Sequence, residues 1–391
     1  MTINLVSAWS AAGIGTCVVV EASLSRNSNN DDAATSKKRL RIAFDIGTTP
    51  NFMDSVSASF VAITHTHVDH IGAIFNHARS FRLSHGGKNC KYFVPKQSID
   101  DMFSAIESMS QLVKEDLIPK ENVVGVEAGD EIELIHDKGG PPIFLRAFSV
   151  SHRDIAALGY QLVTKIVRTN YCGKKKKDLL KEEYRDMSHK QIGEQVRKGV
   201  DIRIPKIVIG TEISVDFAYT GDAGSYSFLC NRPLSADCEL ERGKYERSLI
   251  FLRQIFSQAS TLVMELTYLT YDCEREKKLA KDRGHIHISE VSTVLRQNGW
   301  FCRDEPGNIV FLHISPRHKP VRKALDLIIA GLRQGSTERE FQQFKDFCFV
   351  AVEALLPEVI RPDDHFSKEI KDHIEAGCIS ISFCLQHGLI D

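Results

Sequence analysis

The stretch "ITHTHVDHIGAI" (Ile63–Ile74) sets His65, His67, Asp69 and His70 within six residues, directly after an apolar run. In an extended chain, side chains two apart share a face. If strand geometry continues through the run, His65, His67 and Asp69 point together. His70, at the turn into a helix, then aims at a neighbouring point. Imidazole and carboxylate suit borderline divalent metals such as Zn2+. Four such groups are too many for one tetrahedral site that keeps a position open. They fit two adjacent sites, each completed from elsewhere. A lone histidine here would read as a surface residue, but H-x-H-x-D-H at the end of an apolar strand, on the rim where sites are built, points to metal.

Upstream, "TINLVSA", "GTCVVVEAS" and "RIAFDIG" read as strands, with the polar "LSRNSNNDDAATSKKRL" as a surface loop or hairpin tip. Downstream, "GAIFNHARSF" and "IDDMFSAIESMSQLV" have helical spacing, and "KYFVP", "VVGVEAG", "IELIHD" and "IFLRAFSVSH" read as strands. A helical stretch is expected around "DLLKEEYRDM". Strands resume at "IVIG", "DFAYTGD", "TLVMELTYL" and "NIVFLHIS", with the helix "SEVSTVLRQN" between them. Beyond residue 319 the spacing turns helical: Val321, Leu325, Ile328 and Leu332, then Phe341, Phe344, Cys348 and Leu355 up to Pro357, then Phe366, Ile370 and Ile374. Thr337 with Glu340 forms a capping-box pattern. This order of elements implies two packed sheets with helices outside.

The 391 residues are 42% hydrophobic and 26% charged, enough for a sizeable core, and the formal charge is −1. Residues 165–206 hold 13 Lys/Arg against 6 Asp/Glu, a local +7, so the remainder sums to −8. The ten cysteines form no C-x-x-C pair and read as reduced thiols. No run of 18 apolar residues exists, which predicts no membrane span, and the first 25 residues lack Lys and Arg. A cytoplasmic or nuclear protein is expected.

Seven ordered motifs carry a resemblance: "FDIG" (Phe44–Gly47), "HTHVDH", "SHRDIAALGY" (Ser151–Tyr160), "YTGDAG" (Tyr219–Gly224), "LVMELTYL", "GHIHISEV" and "LHISPRH" (Leu312–His318). The chain resembles the metallo-β-lactamase-fold hydrolases, and within them the ribonuclease Z (tRNA 3′-end endonuclease) family. The resemblance implies an α/β fold, an αββα sandwich of two mixed β-sheets, over residues 1–318, with 319–391 as a helical C-terminal extension. It also implies two Zn2+ per chain: His65, His67 and His152 on one, Asp69, His70 and His313 on the other, Asp222 bridging. A hydroxide between the ions would attack the phosphodiester. Glu265 and His285 would relieve charge on the leaving oxygen, with His287 as the other candidate histidine. Asp69 would also orient the attacking group. Asp45 is expected to orient a metal-bound histidine rather than bind metal.

The implied partner is precursor tRNA, and a homodimer is common in the family. The basic insert 165–206, with Lys174, Lys175, Lys176 and Lys177, and also Arg317, are the candidate RNA contacts. The match departs from the family in five places. The insert lacks a Gly-Pro pair, "SAAGIGTCVVVEAS" replaces a Pro-x-Lys-x-Arg-Asn loop, and "MELTY" and "HIH" replace His-Glu-Ala-Thr and His-Ser-Thr. The 319–391 tail is longer than the fold requires. Two alternatives stay open: another hydrolase of this fold, acting on a small phosphodiester, thioester or lactone, or a non-catalytic RNA-binding subunit. His77, His85, His136, His189, His365, His373 and His387 read as surface or capping residues.

Overall fold

The computed structural model describes residues 2–24, 38–135, 141–153, 155–169, 175, 179–204, 208–229, 239–357 and 364–387. The polar stretch at 25–37 and His136 lie outside them.

Six strands form the first sheet: β1 (Thr2–Ala11), β2 (Gly15–Leu24), β3 (Lys38–Phe44), β4 (Phe60–Ala62), β5 (Lys91–Pro95) and β6 (Val123–Val126), in that spatial order. The second holds β7 (Glu131–Ile135), β8 (Ile143–His152), β9 (Ile155–Thr169), β10 (Val208–Tyr219), β11 (Thr261–Glu265), β12 (Asn308–Leu312), β13 (Cys348–Ala351) and β14 (Cys378–Ser380), again in sequential order. Both sheets are mixed. β1–β2–β3 pair antiparallel while β3–β4–β5–β6 pair parallel, and β10–β11–β12–β13 form the parallel part of the second sheet.

Alternation along the strands explains the layers. On β2, Val18, Val20 and Ala22 face the second sheet and join Phe44, Leu145, Leu162, Phe217 and Val263 in the central core. Cys17 and Val19 face outward, under the helices Ile74–Ser84 and Ile99–Val113 that supply Ile74, Phe81, Met102 and Ile106. The outer face of the second sheet is covered by Glu239–Ser257, Ile288–Gln297 and Val321–Gly335. Each sheet thus has two apolar faces to bury, and the result is the expected αββα sandwich with helices at its C-terminal end.

Several local expectations need correction. The helix expected around "DLLKEEYRDM" is one short turn, Glu182–Tyr184. The helix of this region is His189–Arg197, begun by a Ser188/Gln191 capping box. The helical spacing expected to reach Pro357 stops at Phe347, because Cys348–Ala351 is drawn into the sheet as β13 beside β12. Likewise Ile374 falls beyond the helix His365–Asp372, and Cys378–Ser380 becomes β14. The tail therefore extends the second sheet as well as adding helices. His77 is no surface residue. It is fully buried, with its ring nitrogens 2.8 Å from Tyr92 Oη and 2.9 Å from Ser55 O.

The basic insert is built on a long two-stranded arm. β8 stops pairing at Thr164, whereas β9 and β10 continue together through Thr169 and Val208, with an Arg168–Glu212 ion pair of 2.6 Å on the extension. No helix among the described residues is long and apolar enough to cross a membrane. Seven cysteines among the described residues are free thiols.

One contact ties the tail to the sandwich. Arg296 grips Glu340 with both Nε and Nη2 at 2.8 Å, while Glu340 also accepts from the Thr337 N–H at 2.9 Å. The Arg296 hydrogen bonds hold the Glu340 carboxyl down at about 2. A carboxyl depressed in the folded chain stabilises it above the ordinary value near 4.5 and loses that contribution as pH falls toward about 2. Glu340→Gln is therefore expected to lower the thermal midpoint at pH 7 and to leave a smaller acid-dependent fall between pH 4.5 and 2 than wild type, measured by circular dichroism melts.

Candidate metal centre

β4 ends at Ala62, so His65 and His67 follow it in extended loop rather than in strand. Helix Val68–Ile71 then begins, with His67 as its N-cap. This corrects the expectation that Asp69 shares the face of His65 and His67. The helical turn swings Asp69 and His70 to a second point. His152 ends β8, Asp222 follows β10, Glu265 ends β11 and His313 follows β12. The strand ends of both sheets thus converge on one cluster.

His65 Nε2 lies 3.0 Å from His67 Nδ1, and His152 Nε2 lies 3.2 Å from the same atom. A tetrahedral ion with bonds of 2.0–2.1 Å requires ligands about 3.3 Å apart. Asp69, His70 and His313 form a second group, and His65, His70 and Asp222 a third that joins the two. Asp222 Oδ2 stands between them, 3.1 Å from His313 Nε2, 3.4 Å from His70 Nε2 and 3.9 Å from His152 Nε2. Asp222 Oδ1 and His70 Nε2 are buried with no hydrogen-bond partner among the described residues. Two unpartnered ligand atoms between two imidazole groups fit a divalent cation.

Electrostatics agree with that donor set. Burial holds His65 and His67 below the usual histidine range, His152 at about 4 and His313 at about 3, so these rings are neutral, as ligands must be. Asp222 is ionised despite burial, because His313 and His70 outweigh the desolvation. For His70 burial opposes charge, but Asp222 and Asp45 win and raise it. The carboxylates that draw a proton to His70 would draw a cation equally, and a cation needs the neutral ring.

The ligands are held from behind. Asp45, buried at φ +58, accepts from Thr64 N at 2.8 Å, Thr64 Oγ1 at 2.9 Å, Tyr219 Oη at 2.8 Å and His70 Nδ1 at 2.8 Å. It orients His70, as expected. His152 Nδ1 donates to Gly284 O at 3.0 Å, and Ser10 and Thr16 hydroxyls lie 3.3 and 3.4 Å from His313 Nδ1. Asp69, half-buried, accepts from the Gly13 N–H at 2.9 Å. Thr64, Tyr219, Gly284, Ser10 and Thr16 were not legible as site residues. Thr64, Tyr219 and Gly284 do sit inside the quoted stretches, which is the signal that could have found them. Asp45→Asn keeps the shape but cannot accept from all these donors. We expect metal affinity to fall about 10–100-fold, read by competition with a chelating dye.

The Glu265–His285 pair borders the same cluster. His285 Nδ1 is 2.7 Å from Glu265 Oε2, and Thr267 Oγ1 donates to the same oxygen at 2.9 Å. Burial raises Glu265 to about 7, and for His285 the Glu265 and Asp222 charges overcome burial and raise it as well. The imidazole thus holds its proton more firmly than an ordinary histidine. His287 is buried elsewhere as the N-cap of Ile288–Gln297, with Nε2 donating to Thr270 O at 3.1 Å. Arg317 is exposed, its guanidinium 4.8 Å above the buried Tyr268 ring, which is 6.1 Å from His285. Lys175 is exposed on the arm, and Lys174, Lys176 and Lys177 lie outside the described residues.

This is the metal-binding cluster of a metallo-β-lactamase-fold hydrolase. No family model matches the chain. Over 252 residues, 64% of this chain and 72% of the relative, it is 31% identical to tRNase Z TRZ1 of Arabidopsis thaliana. The chain belongs to the tRNase Z family. Among solved structures it is similar to human tRNase Z, short form, with a TM-score of 0.42 and 13% identity, covering 82% of this chain and 95% of that one. It is also similar to unliganded yeast PDE1, with a TM-score of 0.47 and 12% identity, covering 87% and 94%. Membership of the tRNase Z family accounts for the order of the motifs from "FDIG" to "LHISPRH" along the chain.

Proposed function

We propose that the chain is a zinc-dependent endoribonuclease of tRNase Z type. It would bind two Zn2+ and cut precursor tRNA after the discriminator nucleotide, leaving a 3′-hydroxyl on the tRNA and a 5′-phosphate on the trailer. The observation that carries this reading is the Glu265–His285 pair set against the Asp222 cluster, since an imidazole held at Nδ1 by a buried carboxylate suits proton transfer to a leaving alkoxide. When bound, the two ions supply Lewis-acid chemistry and ionise water near neutral pH. Asp69, held by Gly13, orients the attacking oxygen. Glu265 fixes Nδ1 of His285, which leaves Nε2 to give its proton to the departing 3′-oxygen. The projecting arm with its basic insert supports a polyanionic substrate.

The test is end-mapped cleavage of a 3′-extended precursor tRNA. Cutting at the discriminator supports the reading, and intact RNA beside an active small-ester assay overturns it. A second reading, a hydrolase of small phosphodiesters, is favoured by one observation: the hairpin tip against Asp69, Ala11–Gly15, carries no basic residue. His285→Ala is expected to cost about 10²-fold in kcat. Because the His285 proton is needed and its affinity is raised, wild-type kcat falls as pH rises through the His285 value, and the variant loses that alkaline limb.

A further inference from the structure

Arg153 directly follows His152 at the end of β8 and is exposed. Its φ is +49°, in the left-handed region that non-glycine residues seldom occupy. Asp45 and His313, at φ +58° and +63°, share this conformation, and both turn their side chains into the cluster. Arg153 has no such reward within the chain: among the described residues its guanidinium makes no hydrogen bond or ion pair. Its backbone is nevertheless fixed. Gly284, itself at φ +66° and bonded to His152 through its carbonyl, packs so closely that a Cβ there would lie 2.7 Å from Arg153 N and 2.9 Å from His152 Cα.

The charge of Arg153 is felt at both His67 and His285, where it opposes protonation. Gly284, packed against Arg153 N, directly precedes His285, so Arg153 stands on the side of the site that carries the proton donor. The hairpin tip that donates to Asp69 carries no basic residue and exposes Ile14, and Val68, next to Asp69 in the chain, is exposed as well. An exposed guanidinium on a strained backbone, with no partner among the described residues and next to His152, matches a bidentate phosphate contact.

We infer that Arg153 is a substrate-binding residue whose guanidinium holds a non-bridging oxygen of the substrate phosphodiester on the leaving-group side of the scissile bond. This rests on the phosphodiesterase reading above and deepens it.

Arg153→Gly deletes the guanidinium and relieves the backbone, whereas Arg153→Lys keeps the charge. The probe is a fluorescein-labelled RNA hairpin with a 3′ extension, bound to the full chain in EDTA over a salt series, beside thermal midpoints and steady-state cleavage with metal. Arg153→Gly should bind about tenfold more weakly, with the thermal midpoint unchanged or raised. Its salt slope should be shallower by about 0.7–0.9. Arg153→Lys should restore the slope but only part of the affinity. In cleavage, KM should rise more than kcat falls.

Wild type and Arg153→Gly with the same affinity and slope overturn the inference and leave the tRNase Z reading standing, as does a lowered midpoint with unchanged affinity. A wild type that neither binds nor cuts RNA, yet hydrolyses bis(p-nitrophenyl) phosphate, overturns that reading instead. The inference is then decided by KM for this diester, raised about fivefold or more in Arg153→Gly if it holds, and unchanged if it fails. A wild type inert toward both overturns the two together.

Discussion

Asp222→Ala is expected to leave a folded chain that retains little metal and cuts phosphodiesters at least about 10⁴-fold more slowly, a loss of roughly 5.5 kcal/mol of transition-state stabilisation. Asp222 Oδ2 is within 4.0 Å of four imidazoles, His70, His152, His285 and His313. Among the described residues no other carboxylate reaches both ligand groups, so its removal affects both sites at once. Folding should survive, because Asp222 Oδ1 has no hydrogen-bond donor to forfeit and His70 keeps its bond to Asp45. Metal content by plasma emission spectrometry, circular dichroism and the cleavage assay give three independent readings. Native-like metal content in Asp222→Ala would remove the shared carboxylate from the account.

Truncation after residue 318 is expected to yield insoluble chain or one without a cooperative melt. The motifs end at His318, yet the packing does not. Val321, Leu325, Ile328, Ile329 and Leu332 share a core with Ile288, Val291, Leu295 and Trp300, and Phe341 and Phe344 belong to it too. Gly331 approaches Ile288 so closely that any Cβ would collide with it. β13 pairs with β12, the strand that His313 follows. Each large apolar side chain buried here is worth about 1.5–3 kcal/mol, and a whole domain is stable by only about 5–15 kcal/mol. The truncated chain would expose the partner surface of more than five such residues, together with an open strand edge. Soluble 1–318 with a sharp transition and full metal content would instead make the tail an appendage.

These two cases show what sequence alone could and could not carry. His65, His67, Asp69 and His70 were legible because they are local. Even so, period-two reasoning placed Asp69 on the wrong point, since it assumed a strand where the chain had already begun to coil. His152, Asp222, Glu265, His285 and His313 lie tens to hundreds of residues away, and no spacing rule brings them together. Only the order of whole motifs did so. The tail misled for a different reason. Cys348 and Leu355 have helical spacing with Phe341 and Phe344, but the open edge of β12 offered backbone hydrogen bonds that outweighed that local preference. The helix Glu239–Ser257 escaped notice because charged residues interrupt its apolar face, which only the outer surface of the second sheet makes into a stripe.

The ligand groups come from opposite halves of the sandwich: His65, His67, Asp69 and His70 from the loop after β4, and His152, Asp222 and His313 from the ends of β8, β10 and β12. A divalent cation held there rivets the halves to one another, so part of its affinity is spent on cohesion of the molecule. At a free ion concentration of 100 times its dissociation constant, mass action adds about 2.7 kcal/mol to that cohesion. A chain without the ion would therefore hold its two halves together less firmly, before any substrate is met.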